Sequence, residues 1–201
     1  QSSGPSPKAL TALRSAIHRP AIRRMLLAYA FAGFSFSTLL IYQVPIMIDQ
    51  GRARGTAAGI AGFRGFCQLF GRVGVIAAIA KQEAAVALRV SYLLAAGGSL
   101  FILAGNMWFG LAYGALVGSS LGATTPLQAI NAQNTFEPED LGLLMGLQQS
   151  VFAFAGAAGP VVAGITADVS DSQTPTVWMS VLSLLLAAFL LKGNRTKQTI
   201  N

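Results

Sequence analysis

Apolar residues run along this chain in long blocks separated by short polar breaks. Six blocks reach or approach the roughly 20 residues that a bilayer-crossing helix needs: Met25–Ile48, Thr56–Ala80, Ala85–Ala104, Met107–Asn131, Leu141–Ile165 and Pro175–Leu191. The breaks read "DQGRARG", "KQEA", "GN", "QNTFEPED" and "ADVSDSQT". Each is polar or rich in Gly, Pro and Asp, the residues that turns require. The narrowest break is Gly105–Asn106. The pattern predicts an all-α membrane protein with six transmembrane helices. Residues 1–18 read as a cytoplasmic linker, 19–192 as the six-helix bundle and 193–201 as a cytoplasmic tail.

Composition agrees with that pattern. Of 201 residues, 53% are hydrophobic and only 10% charged, against about 25% charged in a soluble domain. The mean hydropathy is +0.58. A formal charge of +7 raises the question of nucleic acid. The lysines and arginines, however, flank apolar runs and do not interleave with aromatics on a polar face, so the expected partner is a lipid bilayer and no nucleic acid. With both ends of the chain on one side, that side holds ten positive residues and the other only Arg52 and Arg54. By the positive-inside rule both ends are expected to be cytoplasmic, in a multi-pass protein of the cell membrane. The single cysteine, Cys67, rules out a disulfide framework or a cysteine-rich zinc site. No charged n-region with a cleavage site precedes the first apolar run, so no signal peptide is expected, and the opening "QSSGPSPK" reads as a linker-like internal boundary.

One block carries charge where lipid penalises it. In "GFRGFCQLFGRVGV", Arg64, Gln68 and Arg72 recur every four residues and so fall along one helical stripe. Each arginine lies roughly 6 Å from the middle of its block at a rise of about 1.5 Å per residue. Such residues either snorkel and hold neighbouring carbonyls, or face a water-filled cavity where a guanidinium meets an anion. The planar fork of arginine suits carboxylate or phosphate. Every acidic residue falls in a loop or at a helix end. The partner of these arginines is therefore expected to be a substrate, a carbonyl, or an acid from another part of the protein.

Other blocks offer matching faces. Tyr113, Ser120, Thr124, Gln128 and Asn131 fall within about 80° of one another in the fourth. Ser35, Thr38 and Tyr42 form a narrower stripe in the first, and Gln148 stands near the start of the fifth. Any single Ser or Thr often only satisfies a local carbonyl or packs between helices, so the coincidence of stripes weighs more than its members. Pro45, Pro126 and Pro160 fall inside blocks and are expected to kink or locally unwind them. "GAAGPVVAG" places small residues where helices can approach closely, and Cys67 reads as a packing residue. His18 lies outside the blocks.

"GFRGFCQLFGR" and "FEPEDLGLLMGLQQSVFAFAGAAGPVVAG" together resemble the C-terminal half of the major facilitator superfamily. The resemblance covers roughly residues 19 to 192 and about half of a twelve-helix member. It implies six helices arranged as two inverted three-helix repeats, alternating access about a midplane site, and an absent N-terminal six-helix bundle as partner. The second block is also similar to the eighth helix of monocarboxylate-transporter-like members, in which an acid and, four residues on, an arginine engage the substrate. Arg72 matches that arginine, while Gln68 stands in place of the acid and Lys81 near an expected gating Asp. The implied site is Arg64 and Arg72 holding a small organic anion such as a monocarboxylate, with Gln68, Thr38, Tyr42, Tyr113, Thr124 and Gln148 as further substrate-binding residues. No cofactor, metal or catalytic residue is implied, and the chain is not expected to be an enzyme.

Three other readings compete. A rhomboid-like protease or buried metal hydrolase needs a histidine among its helices, and His18 is the only one. A channel or non-transporting subunit is separated from a carrier by the absence of counterflow. An exporter of drugs or other apolar compounds has the same fold, although two unpaired arginines disfavour a cation.

Overall fold

The computed structural model of the chain describes residues 18–79 and 83–193. Nearly all of the expected linker and tail, and Lys81, lie outside the described residues. Among those described, the secondary structure is helical, with no strand. Six α-helices follow one another: α1 Pro20–Asp49, α2 Arg54–Ile79, α3 Ala84–Leu100, α4 Met107–Thr135, α5 Leu141–Ser170 and α6 Thr174–Leu190. Short 3₁₀ turns, Phe101–Leu103 and Leu191–Gly193, close α3 and α6. All six apolar blocks are thus helices. The three interior prolines leave α1, α4 and α5 continuous.

Local chemistry sets the ends. Pro20 sits in the first turn of α1, where its missing N–H costs nothing. Asn106 caps α4, its side-chain oxygen accepting from the Trp108 N–H at 2.9 Å. This explains how a two-residue polar break suffices between the third and fourth blocks. α5 stops where Asp171 enters the left-handed region at φ 49°.

Three helices are long and apolar enough to cross a membrane: α1, α3 with its 3₁₀ turn, and α5. α6 is apolar but has only 17 residues. α2 carries Arg54, Arg64 and Arg72, and α4 is diluted by Gly, Ser, Thr, Gln and Asn. These two less apolar helices are each other's closest partners. The glycines of α4 carry that contact, meeting Ile60, Phe63, Arg64 and Gln68 of α2.

Small residues set the close approaches. A Cβ on Gly118 would lie 2.3 Å from the Arg64 carbonyl oxygen, and one on Gly71 would lie 1.9 Å from that of Ser119. Across α1 and α5, Gly33 meets the Phe152 carbonyl and Gly159 meets Phe34 and Thr38. This is the close packing expected of the small residues in "GAAGPVVAG".

The residue pairings give helix direction. Positions rise together along α2 and α4 (Ile60 with Gly110, Gln68 with Gly122), and along α1 and α5 (Gly33 with Phe152, Tyr42 with Gly164). They run oppositely in α3 and α4, where Gly98 meets Leu116 and Tyr92 meets Gln128. α1 and α4 are also opposed, since Asn131 near the end of α4 donates to Tyr29 near the start of α1. Exchanging α1–α3 for α4–α6 maps the main packed pairs onto one another: α2 with α4 onto α5 with α1, and α3 with α4 onto α6 with α1. The α3–α6 contact maps onto itself.

Three interhelix loops meet at one end. The buried Arg52, between α1 and α2, donates to the carbonyls of Ile102 (2.9 Å), Ala104 and Asn106 (3.1 Å). The Gln173 N–H donates to Asp49 Oδ2 at 3.2 Å, drawing the α5–α6 loop to the same end. Burial lowers the pKa of Arg52 from its ordinary value.

Candidate polar site among α1, α2 and α4

α2 turns Arg64 into the bundle, where its residue is 5% exposed. The Gly114 and Gly118 faces of α4 lie against its backbone. The Arg64 Nε donates to Gln43 Oε1 of α1 at 2.8 Å, and Gln43 Nε2 donates to the Leu40 carbonyl at 2.9 Å. Gln43 is thereby oriented by its own helix to present an acceptor. The terminal nitrogens of Arg64 make no hydrogen bond with the described residues. Tyr113 of α4 is fully buried, its hydroxyl has no partner, and its neighbour Gly114 packs on the Arg64 backbone. Three helices therefore bring an amide, a guanidinium and a phenol together, and the guanidinium keeps its bidentate end uncommitted.

The sequence stripe does not stay on one side. Arg64 is buried, Gln68 is half-buried and Arg72 is exposed. The cause is helical drift. Steps of four advance about 40°, so position 72 lies some 80° round from 64. The seam with α4 instead uses Ile60, Arg64, Cys67 and Gly71, which keep closer to one line. Arg72 makes no hydrogen bond or ion pair with the described residues. It is presented outward, two turns from Arg64 on the same helix.

The remaining expected residues fall in three settings. Thr38 and Thr124 are buried and return their hydroxyls to the carbonyls of Phe34 and Ser120, each at 2.8 Å. Thr38 also packs on Gly159, and the Tyr42 hydroxyl lies over Gly164, so both sit in the α1–α5 seam. Gln148 has no exposed surface, and neither of its amide atoms has a partner. It lies one turn before Phe152 on α5, which puts it level with Tyr29 of α1.

A second network joins the far end of α4. Gln128 Nε2 donates to the Tyr92 hydroxyl at 3.2 Å, and Asn131 Nδ2 donates to the Tyr29 hydroxyl at 2.9 Å. These bonds pair Gln128 and Asn131 within the bundle, while Tyr113 and Ser120 of the same stripe keep unpartnered hydroxyls. Sequence reasoning missed Gln43, Tyr29 and Tyr92. A signal existed for Gln43, an amide within an apolar run and eight residues on from Ser35. The tyrosines read as ordinary core. Among the described residues no group of three or more His, Cys, Asp and Glu side chains gathers.

No family model matches the chain, and no curated protein matches it.

Proposed function

We propose that this chain forms one six-helix bundle of a secondary transporter of the major facilitator type, moving a small organic anion across a membrane by alternating access. The observation that carries the proposal is Arg64. It is a charged group buried within a helix, held through Nε by Gln43, with its two-pronged end unbonded among the described residues. A guanidinium kept for structure alone would be expected to spend those donors on carbonyls, as Arg52 does. Left uncommitted beside Tyr113, they suit a carboxylate arriving from a wet vestibule.

The fold supports the same reading. Three helices are apolar enough to cross a bilayer, and the two halves of the chain pack as interchangeable sets running in opposite directions. We read these sets as inverted three-helix repeats spanning the membrane six times. An absent bundle would cover the open side of α2, and exposed Arg72 would then face the cavity between the two bundles. Termini on the cytoplasmic side follow from the positive-inside bias.

The test is carboxylate uptake by the full-length protein in proteoliposomes, with Arg64→Gln and Arg72→Gln compared. Loss of a charge-assisted bond is expected to lower uptake about 10-fold or more for each. Unchanged uptake of a panel of carboxylates by both variants would remove the anion site. Saturation and counterflow distinguish a carrier from a channel.

A further inference from the structure

On the flank of the bundle, α2 and α3 diverge over α4 and leave a cleft of about 370 Å³. Its walls are Phe70 and Val75 of α2, Val90 and Leu94 of α3, and Leu127 of α4. Arg64 and Gln43 have no part in it. The volume is near the lower bound of about 300–1,000 Å³ for small-molecule sites.

Two hydroxyls interrupt this apolar lining. Ser120 is 3% exposed, lines the cleft, and its Oγ has no hydrogen-bond partner. Several helix serines and threonines here return their hydroxyl to the carbonyl four residues earlier, as Ser99, Thr124 and Thr135 do. Ser120 makes no such bond: its Oγ is buried and unpaired, whereas neighbouring Ser119 bonds the Ala115 carbonyl at 2.6 Å. Ser120 is therefore left with an unspent buried donor. Across the cleft Ser91 of α3 is 8% exposed, lines the same space, and makes no hydrogen bond. A buried hydroxyl without a partner is costly, and hydrocarbon cannot relieve it.

We propose that this cleft binds a small membrane-dissolved molecule with an apolar body and one hydroxyl or carbonyl oxygen, which bonds to Ser120 and Ser91. The apolar part replaces lipid tails against Phe70, Val90 and Leu94. The oxygen supplies the partner that the helices do not. The site is separate from the anion site and needs only that this flank faces lipid, so it stands or falls independently of transport.

The structure provides a way to close the cleft without disturbing the seam. Gly74 lines it, and a Cβ there would meet nothing within 4 Å. Neighbouring Gly71, by contrast, is pressed on Ser119. Leu94 is 47% exposed and can likewise be enlarged.

The experiment uses the full-length protein in lipid nanodiscs and a diazirine-bearing long-chain alcohol as photoprobe, with labelled residues mapped by mass spectrometry. Labelling is expected on α2, α3 and α4 around the cleft, and 1-dodecanol should compete better than dodecane. Gly74→Phe and Leu94→Trp should each abolish labelling at the cleft while preserving the wild-type elution profile. If one variant fails to fold, the other decides. The double variant Ser91→Ala with Ser120→Ala should erase the preference for alcohol over alkane, a change of about 2- to 10-fold, as a net hydrogen bond implies. Labelling that ignores both blocking variants, or dodecane competing as well as dodecanol in the unaltered protein, overturns the proposal.

Discussion

A guanidinium can remain inside a helix bundle only if its donors and its charge are answered. For Arg64 the answer within the chain is one amide oxygen, that of Gln43. Replacing Gln43 by Ala removes the acceptor and leaves a buried charged donor unmatched, which costs about 1–3 kcal/mol. Gln43→Ala should lower the thermal midpoint of the detergent-solubilised protein, and Gln43→Glu should restore it by keeping an oxygen at that place. A midpoint unmoved by Gln43→Ala would mean that Nε finds water or another carbonyl, and that Gln43 is incidental. The arginine was legible in the sequence because charge in an apolar run stands out at any register. Gln43 was not, because its importance depends on which residue of α2 passes it, and that is decided by the loop at Arg52 and the packing on α4.

For whole helices the legible part was larger. Hydrophobic runs and polar breaks gave all six elements, since an apolar run of this length has few other ways to satisfy its backbone in lipid. What the runs could not give is which face meets which neighbour. The stripe of Arg64, Gln68 and Arg72 follows a four-residue step, whereas the α2–α4 seam also uses three-residue steps through Cys67 and Gly71. Two glycines on one helix make that seam measurable. Gly71→Ala places a methyl group into the Ser119 backbone and should destabilise by about 1–3 kcal/mol, as overpacking does. Gly74→Ala, three residues away, meets open space and should be neutral or stabilise by up to about 1 kcal/mol through helix propensity. Equal effects on unfolding would show that α2 does not dock on α4 through this face.

For the molecule as a whole, the packing pattern requires the α1–α2, α3–α4 and α5–α6 loops to lie together, opposite the α4–α5 loop. Single cysteines in a Cys67→Ala background can test this in intact cells. Asp171→Cys and Gly51→Cys should react with an impermeant maleimide from the same side of the membrane, and Glu139→Cys only from the other. Reaction of Asp171→Cys and Glu139→Cys from one side would mean that α5 does not cross. This arrangement was only partly readable in advance. Loop charges order the two sides, but three helices clear the apolar standard for crossing while α2, α4 and the short α6 do not. The polar residues of α2 and α4 are in part buried against α1 and α3, a tertiary fact that a hydropathy average cannot contain.

The interlocking of α1 with α5 and α6 has a consequence for biosynthesis. α1 is synthesised well before α5 and α6, the neighbours that cover most of it. Gly33 and Ser35 stay uncovered until Phe152 and Ser180 arrive to meet them. A ribosome that stalls before α5 would therefore release a product in which α1 lacks its main partners.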